Sequence, residues 1–104
     1  MKLLTKELEN RFVKIGSQET VEDPIVIAKF FNPMGRGYWF ATEYDSAERM
    51  FFGYVSLFGD YNDELGSFSL DELESIKTFG VGIERDMYFA EVPLSEIKAK
   101  YTKV

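Results

Sequence analysis

The sequence contains no cysteine and no histidine, and only 3 of its 104 residues are proline. Without cysteine the chain has no disulfide, no thiolate nucleophile and no thiolate-bound metal. Without histidine it lacks the side chain that most often serves as a general base or a metal ligand near neutral pH. We therefore expect a cytoplasmic protein that is not an enzyme, has no catalytic residues and uses no metal or other cofactor.

Long hydrophobic runs are missing as well. No stretch approaches the roughly 20 apolar residues that span a membrane, and residues 1–4 lead directly into the charged stretch 6–9, unlike a secretion signal. We expect no contact with a membrane. The chain has the length of one domain and shows no linker, so residues 1–104 are predicted to form a single domain. Its 45% hydrophobic content argues against disorder.

Negative charge is concentrated in the middle of the chain. The formal net charge is −6, and residues 43–74 hold nine of the 18 acidic side chains but only one base, Arg49. Direct binding of DNA or RNA is not expected, because the sequence has no basic stripe. One interpretation is a solvated acidic surface. The other is an anionic patch that meets a basic partner or takes the place of a nucleic-acid backbone.

The second interpretation names a set of candidate binding residues. All of them are carboxylates of the acidic middle region, on predicted strands or turns. The six predicted partner-binding residues are Glu43, Asp45, Glu48, Asp60, Asp63 and Glu64. Carboxylates spaced along a surface present negative charge as phosphates do, and they speed the encounter with a basic partner. The oligomeric state of the protein is left open by the sequence.

Hydrophobic patterning and turn residues predict an α+β domain with an antiparallel sheet of about five strands and two or three short helices. Strands are predicted at 25–31, 38–44, 49–58, 64–68 and 85–90, and helices at 5–14, 70–77 and from 93 onward. Thr5 and Ser69 are predicted N-caps. Gly53, inside the third strand, indicates a bulge or a close backbone approach.

Several predicted strands are apolar on both faces. Simple alternation along the second strand places Tyr38, Phe40 and Tyr44 on one face, and Trp39 and Ala41 on the other. A sheet of this kind is either covered on both faces or keeps an exposed patch for a partner. With aromatic residues at 16% of the chain, exposed rings would serve as anchors for a protein partner.

Two acidic arrangements resemble metal sites, and neither completes its motif. Residues 60–71 match part of an EF-hand loop, but Leu65 stands where the loop needs glycine, and the twelfth position is Asp71 instead of a bidentate glutamate. Glu43 and Asp45 share a strand face as the carboxylates of two-metal nucleases do, yet no matched partner follows at a recognisable spacing. A metal-dependent nuclease is kept only as a third hypothesis.

The order of motifs along the chain resembles the bacterial family of unknown function numbered 2958. The resemblance covers roughly residues 1–98. The segments that carry it are MKLLTKE (1–7), KFFNP (29–33), WFATEYD (39–45), FFGYV (51–55), ELGSFSLDELESI (64–76) and IERDMYF (83–89). It implies a gene carried by plasmids, phages and conjugative elements, and it implies no established catalytic residues.

The resemblance also implies a function. At least one member of this family is described as an anti-CRISPR of subtype II-A, an inhibitor of the type II RNA-guided Cas nuclease. That nuclease holds nucleic acid in positively charged channels, so an acidic protein could compete with DNA or hold the nuclease in an inactive arrangement. We expect such an inhibitor, with the Cas nuclease as protein partner. The alternative is a mobile-element protein that binds a conjugation or replication factor and inhibits no nuclease.

Overall fold

A computed structural model describes residues 1–57 and 64–101, and it has the predicted α+β architecture with a five-stranded antiparallel sheet. In chain order the elements are α1 (Lys6–Ile15), β1 (Ile25–Val26), β2 (Ala28–Phe31), β3 (Tyr38–Asp45), β4 (Met50–Ser56), β5 (Glu64–Ser69), α2 (Leu70–Ser75), β6 (Lys77–Thr78), β7 (Val81–Gly82), β8 (Glu84–Arg85), β9 (Val92–Pro93) and α3 (Leu94–Tyr101). The main sheet has the order β5–β4–β3–β2–β8, while β1 pairs with β9 and β6 with β7. Over these residues no helix has the length and apolar character to cross a lipid bilayer.

Local sequence signals set the ends of the helices. The hydroxyls of Thr5 and Ser69 each accept a hydrogen bond from the N–H three residues later, at 3.2 and 3.1 Å, so both predicted N-caps are confirmed. Gly16 follows α1 with φ +69°, in the left-handed region that glycine favours. Helix α2 ends at Ser75, before the predicted end at Lys77, because the chain becomes extended and enters β6.

Gly53 lies at a close approach between two strands. It pairs with Ala41 of β3 on one side and with Gly66 of β5 on the other. A Cβ atom at Gly53 would lie 1.8 Å from the carbonyl oxygen of Phe40, well inside van der Waals contact. The close approach predicted from the sequence is confirmed, and only glycine fits this position of the sheet.

Strand β3 has an irregularity at Thr42 that changes the facing of its second half. The register shifts after Ala41, so that Glu43 pairs directly with Phe52 of β4. One extra residue reverses the alternation of side chains that follow it. The predicted facing is therefore wrong for Tyr44, which packs on the side of the sheet that carries Ala41.

Separate apolar clusters cover the two faces of the main sheet. On the face covered by α1 and α2, here called the α1 face, the cluster includes Leu3, Phe12, Phe30, Phe51, Phe68 and Leu73. On the opposite face, here called the α3 face, Val26, Phe40 and Tyr54 pack against Leu94 and Ile97 of α3. The sheet is thus apolar and covered on both sides. The α3 face is not covered along its whole length, since Phe52 remains 40% exposed.

The strand predicted at 49–58 is shorter in the structure, where β4 covers Met50–Ser56, and two other predicted strands differ more strongly. The strand predicted at 85–90 is wrong beyond Arg85, because the Asp86 carboxylate accepts a hydrogen bond from the Tyr88 N–H at 2.9 Å and the chain turns there. The strand predicted at 25–31 is divided at Ile27, whose N–H donates to the carbonyl oxygen of Ala41 at 2.8 Å. β1 is thereby released from the main sheet to pair with β9.

Candidate functional site

Two neighbouring grooves share Glu43 and Phe52 at the open end of the α3 face. The first, here called the apolar groove, has a volume of about 490 Å³ and lies between loop 18–24, the strands β3 to β5 and helix α3. The second, here called the turn groove, has a volume of about 580 Å³ and lies between the end of α1 and the β3–β4 turn. Both grooves are lined by predicted binding residues, since Glu43 lines both, and Asp45 and Glu48 line the turn groove.

The irregularity in β3 brings a carboxylate and an exposed ring together. Glu43 and Phe52 are direct partners across β3 and β4, and such pairs hold their Cβ atoms about 5 Å apart on one face. Regular alternation after Ala41 would have turned Glu43 toward the α1 face. The shift at Thr42 turns it toward the α3 face instead, where it lines both grooves.

The floor of the apolar groove is formed by exposed hydrophobic side chains. Val21, Phe52 and Leu65 are 47%, 40% and 46% exposed, respectively, and all three line this groove. Single exposed hydrophobic residues are common on protein surfaces, but several in one concavity mark a place where apolar surface can be buried. The groove can therefore accept apolar side chains of a partner.

The rim of the same groove is acidic. Glu19, Glu22 and Glu43 line it, and Lys98 of α3 is the basic side chain among its lining residues. Within residues 1–57 and 64–101, none of these three carboxylates forms an ion pair. The groove thus combines an apolar floor with an excess of uncompensated negative charge, which favours a partner that is both apolar and basic.

Three of the six predicted binding residues meet in the turn groove. Glu43, Asp45 and Glu48 all line it. The Asp45 carboxylate accepts hydrogen bonds from the N–H groups of Ala47 and Glu48, at 3.0 and 3.3 Å, and so holds the β3–β4 turn. Asp45 therefore has a structural task in addition to its charge, whereas the Glu48 side chain is exposed and forms no ion pair with another described residue.

Arg49 pairs with acids of α2, and among the described residues it forms no ion pair with the carboxylates of the two grooves. Its guanidinium contacts Asp71 at 2.9 Å and Glu74 at 3.4 Å. The hydrogen bond to Asp71 raises the pKa of Arg49 above its usual range. Since Arg49 is the one base of residues 43–74, this arrangement concentrates the uncompensated charge of that region on its other carboxylates.

Of the remaining predicted residues, the structure describes Glu64, which lines neither groove. Glu64 pairs with Val55, and alternation along β5 places it on the α1 face, three residue pairs away from the Glu43–Phe52 pair. The structure therefore does not bring Glu64 together with Glu43, Asp45 and Glu48. Asp60 and Asp63 lie outside the described residues.

Sequence analysis missed the part of the site that loop 18–24 contributes. Glu19, Val21 and Glu22 lie outside the acidic middle region, and their spacing carries no motif. Gln18 brings them to the sheet. Its buried side chain donates to the carbonyl oxygens of Ile25 and Thr42, at 2.9 and 2.8 Å, and accepts from the Ile25 N–H at 2.7 Å. A lone glutamine in a polar loop gives no sign of this role.

Metal ligation is a separate use that clustered carboxylates can have. Across the described ranges, no group of three or more acidic side chains is arranged to hold a metal ion. The described residues of the grooves offer charged and apolar surface to a molecule that lies against them.

The fold and the grooves define a small α+β domain with an acidic, partly apolar concave surface. Its family follows from sequence comparison: the family model described as "Protein of unknown function (DUF2958)" matches residues 3–103. The chain belongs to this family, which confirms the resemblance at the level of the family. No match to the chain was found among curated proteins or among solved structures.

Proposed function

We propose that the protein is an anti-CRISPR protein, a non-enzymatic inhibitor that binds a subtype II-A RNA-guided Cas nuclease through the apolar groove and the turn groove. The observation that supports this proposal is the pairing of Glu43 with the exposed ring of Phe52 where the two grooves meet. The family resemblance noted from the sequence motifs suggests the nuclease as the partner.

The physical argument combines charge and burial. A type II effector holds its guide and target in positively charged channels, so Glu43 and Glu48 can occupy positions that phosphates take in the substrate complex. Negative charge speeds the encounter with such a channel. Val21, Phe52 and Leu65 then exclude water from the interface, which slows dissociation and protects the charged contacts from screening by salt.

The direct test is plasmid cleavage by a purified type II-A effector loaded with guide. The protein is added before or after the guide, and before or after the target DNA. We expect loss of cleavage when the protein is added before the target, and little effect once the target is bound. The order that matters identifies the blocked step. If the protein inhibits only when it is added before the guide, it holds the nuclease in an inactive arrangement and does not compete with DNA.

Two double variants with the same net charge distinguish an effect of the groove residues from an effect of net charge. Glu43→Lys combined with Glu48→Lys should abolish inhibition, because it reverses the charge at the meeting point of the grooves. The matched control is Glu7→Lys combined with Glu96→Lys, which makes the same charge change at exposed helix positions that do not line the grooves. Circular dichroism checks that both variants keep the fold.

Two outcomes would contradict the proposal in different ways. Inhibition that survives in the Glu43 and Glu48 double variant would exclude the two grooves as the interface. Unchanged cleavage with several orthologous effectors, together with no co-elution on gel filtration, would contradict the inhibitor role itself. A binding partner among conjugation or replication factors of mobile elements would then be the leading hypothesis.

A further inference from the structure

Strand β5 forms one edge of the main sheet, and no other strand of the described chain pairs with its outer side. One backbone hydrogen bond shows which residues of β5 bond to β4. The Leu70 N–H, just after β5, donates to the carbonyl oxygen of Arg49, just before β4, at 3.0 Å. Alternate residues of an antiparallel strand bond to the same neighbour. Gly66 therefore bonds to β4, while Leu65 and Ser67 direct their N–H and C=O groups away from the sheet.

This edge lacks two of the features with which proteins block strand addition. The sequence of β5, ELGSFS, contains no proline and no lysine. A side chain added at Gly66 would meet nothing within 4 Å. The opposite edge is different, because the Arg85 N–H of β8 is covered by the sulfur of Met1 at 3.1 Å. The β5 edge is thus open to a further strand along Leu65–Ser67.

Negative charge surrounds the open edge. Glu64 begins β5, Asp71 and Glu72 follow its last residue, and Glu43 lies two strands inward. Of these, Asp71 is paired with Arg49 within the described residues. A strand that carries positive charge is favoured at this edge, whereas a second copy of a chain with net charge −6 is disfavoured.

We propose that β5 accepts an extended, positively charged segment of a partner protein as a sixth strand of the sheet. This inference rests on the proposed function, since it names how the bound protein would enter the same site. The segment would bond to the backbone of Leu65 and Ser67. Its side chain opposite Ser67 would project over the α3 face toward Phe52 and Glu43, where a lysine or arginine meets both a ring and a carboxylate.

The test uses nuclear magnetic resonance on the whole protein and a synthetic peptide of alternating lysine and valine. In the free protein, the amide protons of Leu65 and Ser67 should exchange rapidly with solvent. With the peptide they should become protected at least about tenfold, since each gains a hydrogen-bond partner. A peptide of alternating glutamate and valine should protect neither proton. Protection of neither proton by the lysine peptide would overturn the proposal.

Ser67→Pro is the matching variant, because it removes an outward N–H and keeps the bonds between β5 and β4. It should weaken peptide binding at least tenfold, while Ser67→Ala should bind as the wild type does. A lysine–valine peptide that is N-methylated at alternate residues should also fail to bind, which keeps the test valid if Ser67→Pro does not fold. Equal binding of the N-methylated peptide would overturn the proposal.

The cleavage assay distinguishes this inference from the proposed function. A Ser67→Pro protein that folds and inhibits the effector as well as wild type would overturn strand addition and leave the inhibitor role in place. Wild-type protein that protects Leu65 and Ser67 on peptide addition but inhibits no effector would support strand addition and contradict the inhibitor role. A dimer that forms through β5 would replace the basic partner with a second copy and so overturn the proposal.

Discussion

The side-chain amide of Gln18 donates a 2.8 Å hydrogen bond to the carbonyl oxygen of Thr42, the residue at which β3 departs from regular pairing. The same side chain binds both backbone groups of Ile25. One buried glutamine thus joins the loop that carries Glu19 and Val21 to the strand that carries Glu43. The apolar groove depends on this junction, because it holds the two walls in place.

Replacement of Gln18 should therefore weaken the whole fold. Gln18→Ala leaves the N–H and C=O of Ile25 and the C=O of Thr42 without these partners in a largely buried place. We expect a loss of about 2–4 kcal/mol in the free energy of unfolding, measured by urea denaturation. Glu19→Ala, an exposed neighbour, should change it by less than about 0.5 kcal/mol. Equal stability of the two variants would contradict this role of Gln18.

Two glycines that face each other across β4 and β5 should respond differently to the same substitution. Gly53→Ala places a Cβ 1.8 Å from a backbone oxygen, and we expect it to cost at least about 3 kcal/mol or to prevent folding. Gly66→Ala meets nothing within 4 Å and should shift stability by less than about 1 kcal/mol. Yield of folded protein and denaturation midpoints measure both. A stable Gly53→Ala protein would contradict the close approach.

The hairpin between β6 and β7 contains an aromatic residue in a strained conformation. Phe79 has φ +52° and precedes Gly80 with φ +80°, while its side chain is 89% exposed. Two-residue turns of this type favour Asn–Gly, and a left-handed non-glycine residue costs about 1–2 kcal/mol. Phe79→Asn should therefore raise the thermal midpoint by about 5 °C, whereas Gly80→Ala should lower it. A midpoint that falls in Phe79→Asn would show that Phe79 makes a stabilising contact.

Acid should loosen the amino-terminal end of α3 through Asp23. Its carboxylate accepts hydrogen bonds from the hydroxyl and the N–H of Ser95, at 2.7 and 3.0 Å, and these lower the pKa of Asp23 below its ordinary value of 3.8. A lowered pKa in the folded state gives stability that is present above the unfolded value and is lost as pH falls through the folded value. The stability difference between wild type and Asp23→Asn should thus be full at pH 6 and shrink below about pH 4.

The measurement for Asp23 is a series of urea denaturations between pH 6 and pH 2. Ser95→Ala removes the hydroxyl donor to Asp23. The difference in free energy of unfolding between Ser95→Ala and the double variant Ser95→Ala/Asp23→Asn should therefore depend less on pH. If the difference in free energy of unfolding between wild type and Asp23→Asn stays constant from pH 6 to pH 2, the charged carboxylate does not stabilise this helix end.

The parts of the fold that depend on neighbouring residues were predictable from the sequence. The caps Thr5 and Ser69 act within one helical turn, and Gly53 stands out because a glycine inside an apolar strand needs a steric reason. The parts that depend on distant contacts were not predictable. At the shift, the Thr42 carbonyl oxygen accepts a hydrogen bond from Gln18, 24 residues earlier, and nothing in the local pattern of β3 indicates this contact.

The candidate site was predicted in part for the same reason. Charge density singled out Glu43, Asp45 and Glu48, and the structure places these three in one groove. It also included Glu64, although alternation along β5 directs this side chain to the α1 face. Charge density cannot make this distinction, because it carries no information about the face of the sheet on which a side chain lies. The apolar floor was missed because Val21 and Leu65 belong to different segments that only the folded sheet brings together.

The cluster on the α3 face has a consequence for the order in which the chain can fold. Val26, Phe40 and Tyr54 are buried against Leu94 and Ile97, and the Leu94 N–H donates to the carbonyl oxygen of Pro24 at 2.8 Å. Because synthesis proceeds from the amino terminus, these three residues of the sheet leave the ribosome before Leu94 and Ile97 do. The nascent chain therefore presents an uncovered apolar face during synthesis, and this face is the point at which chaperones would engage it.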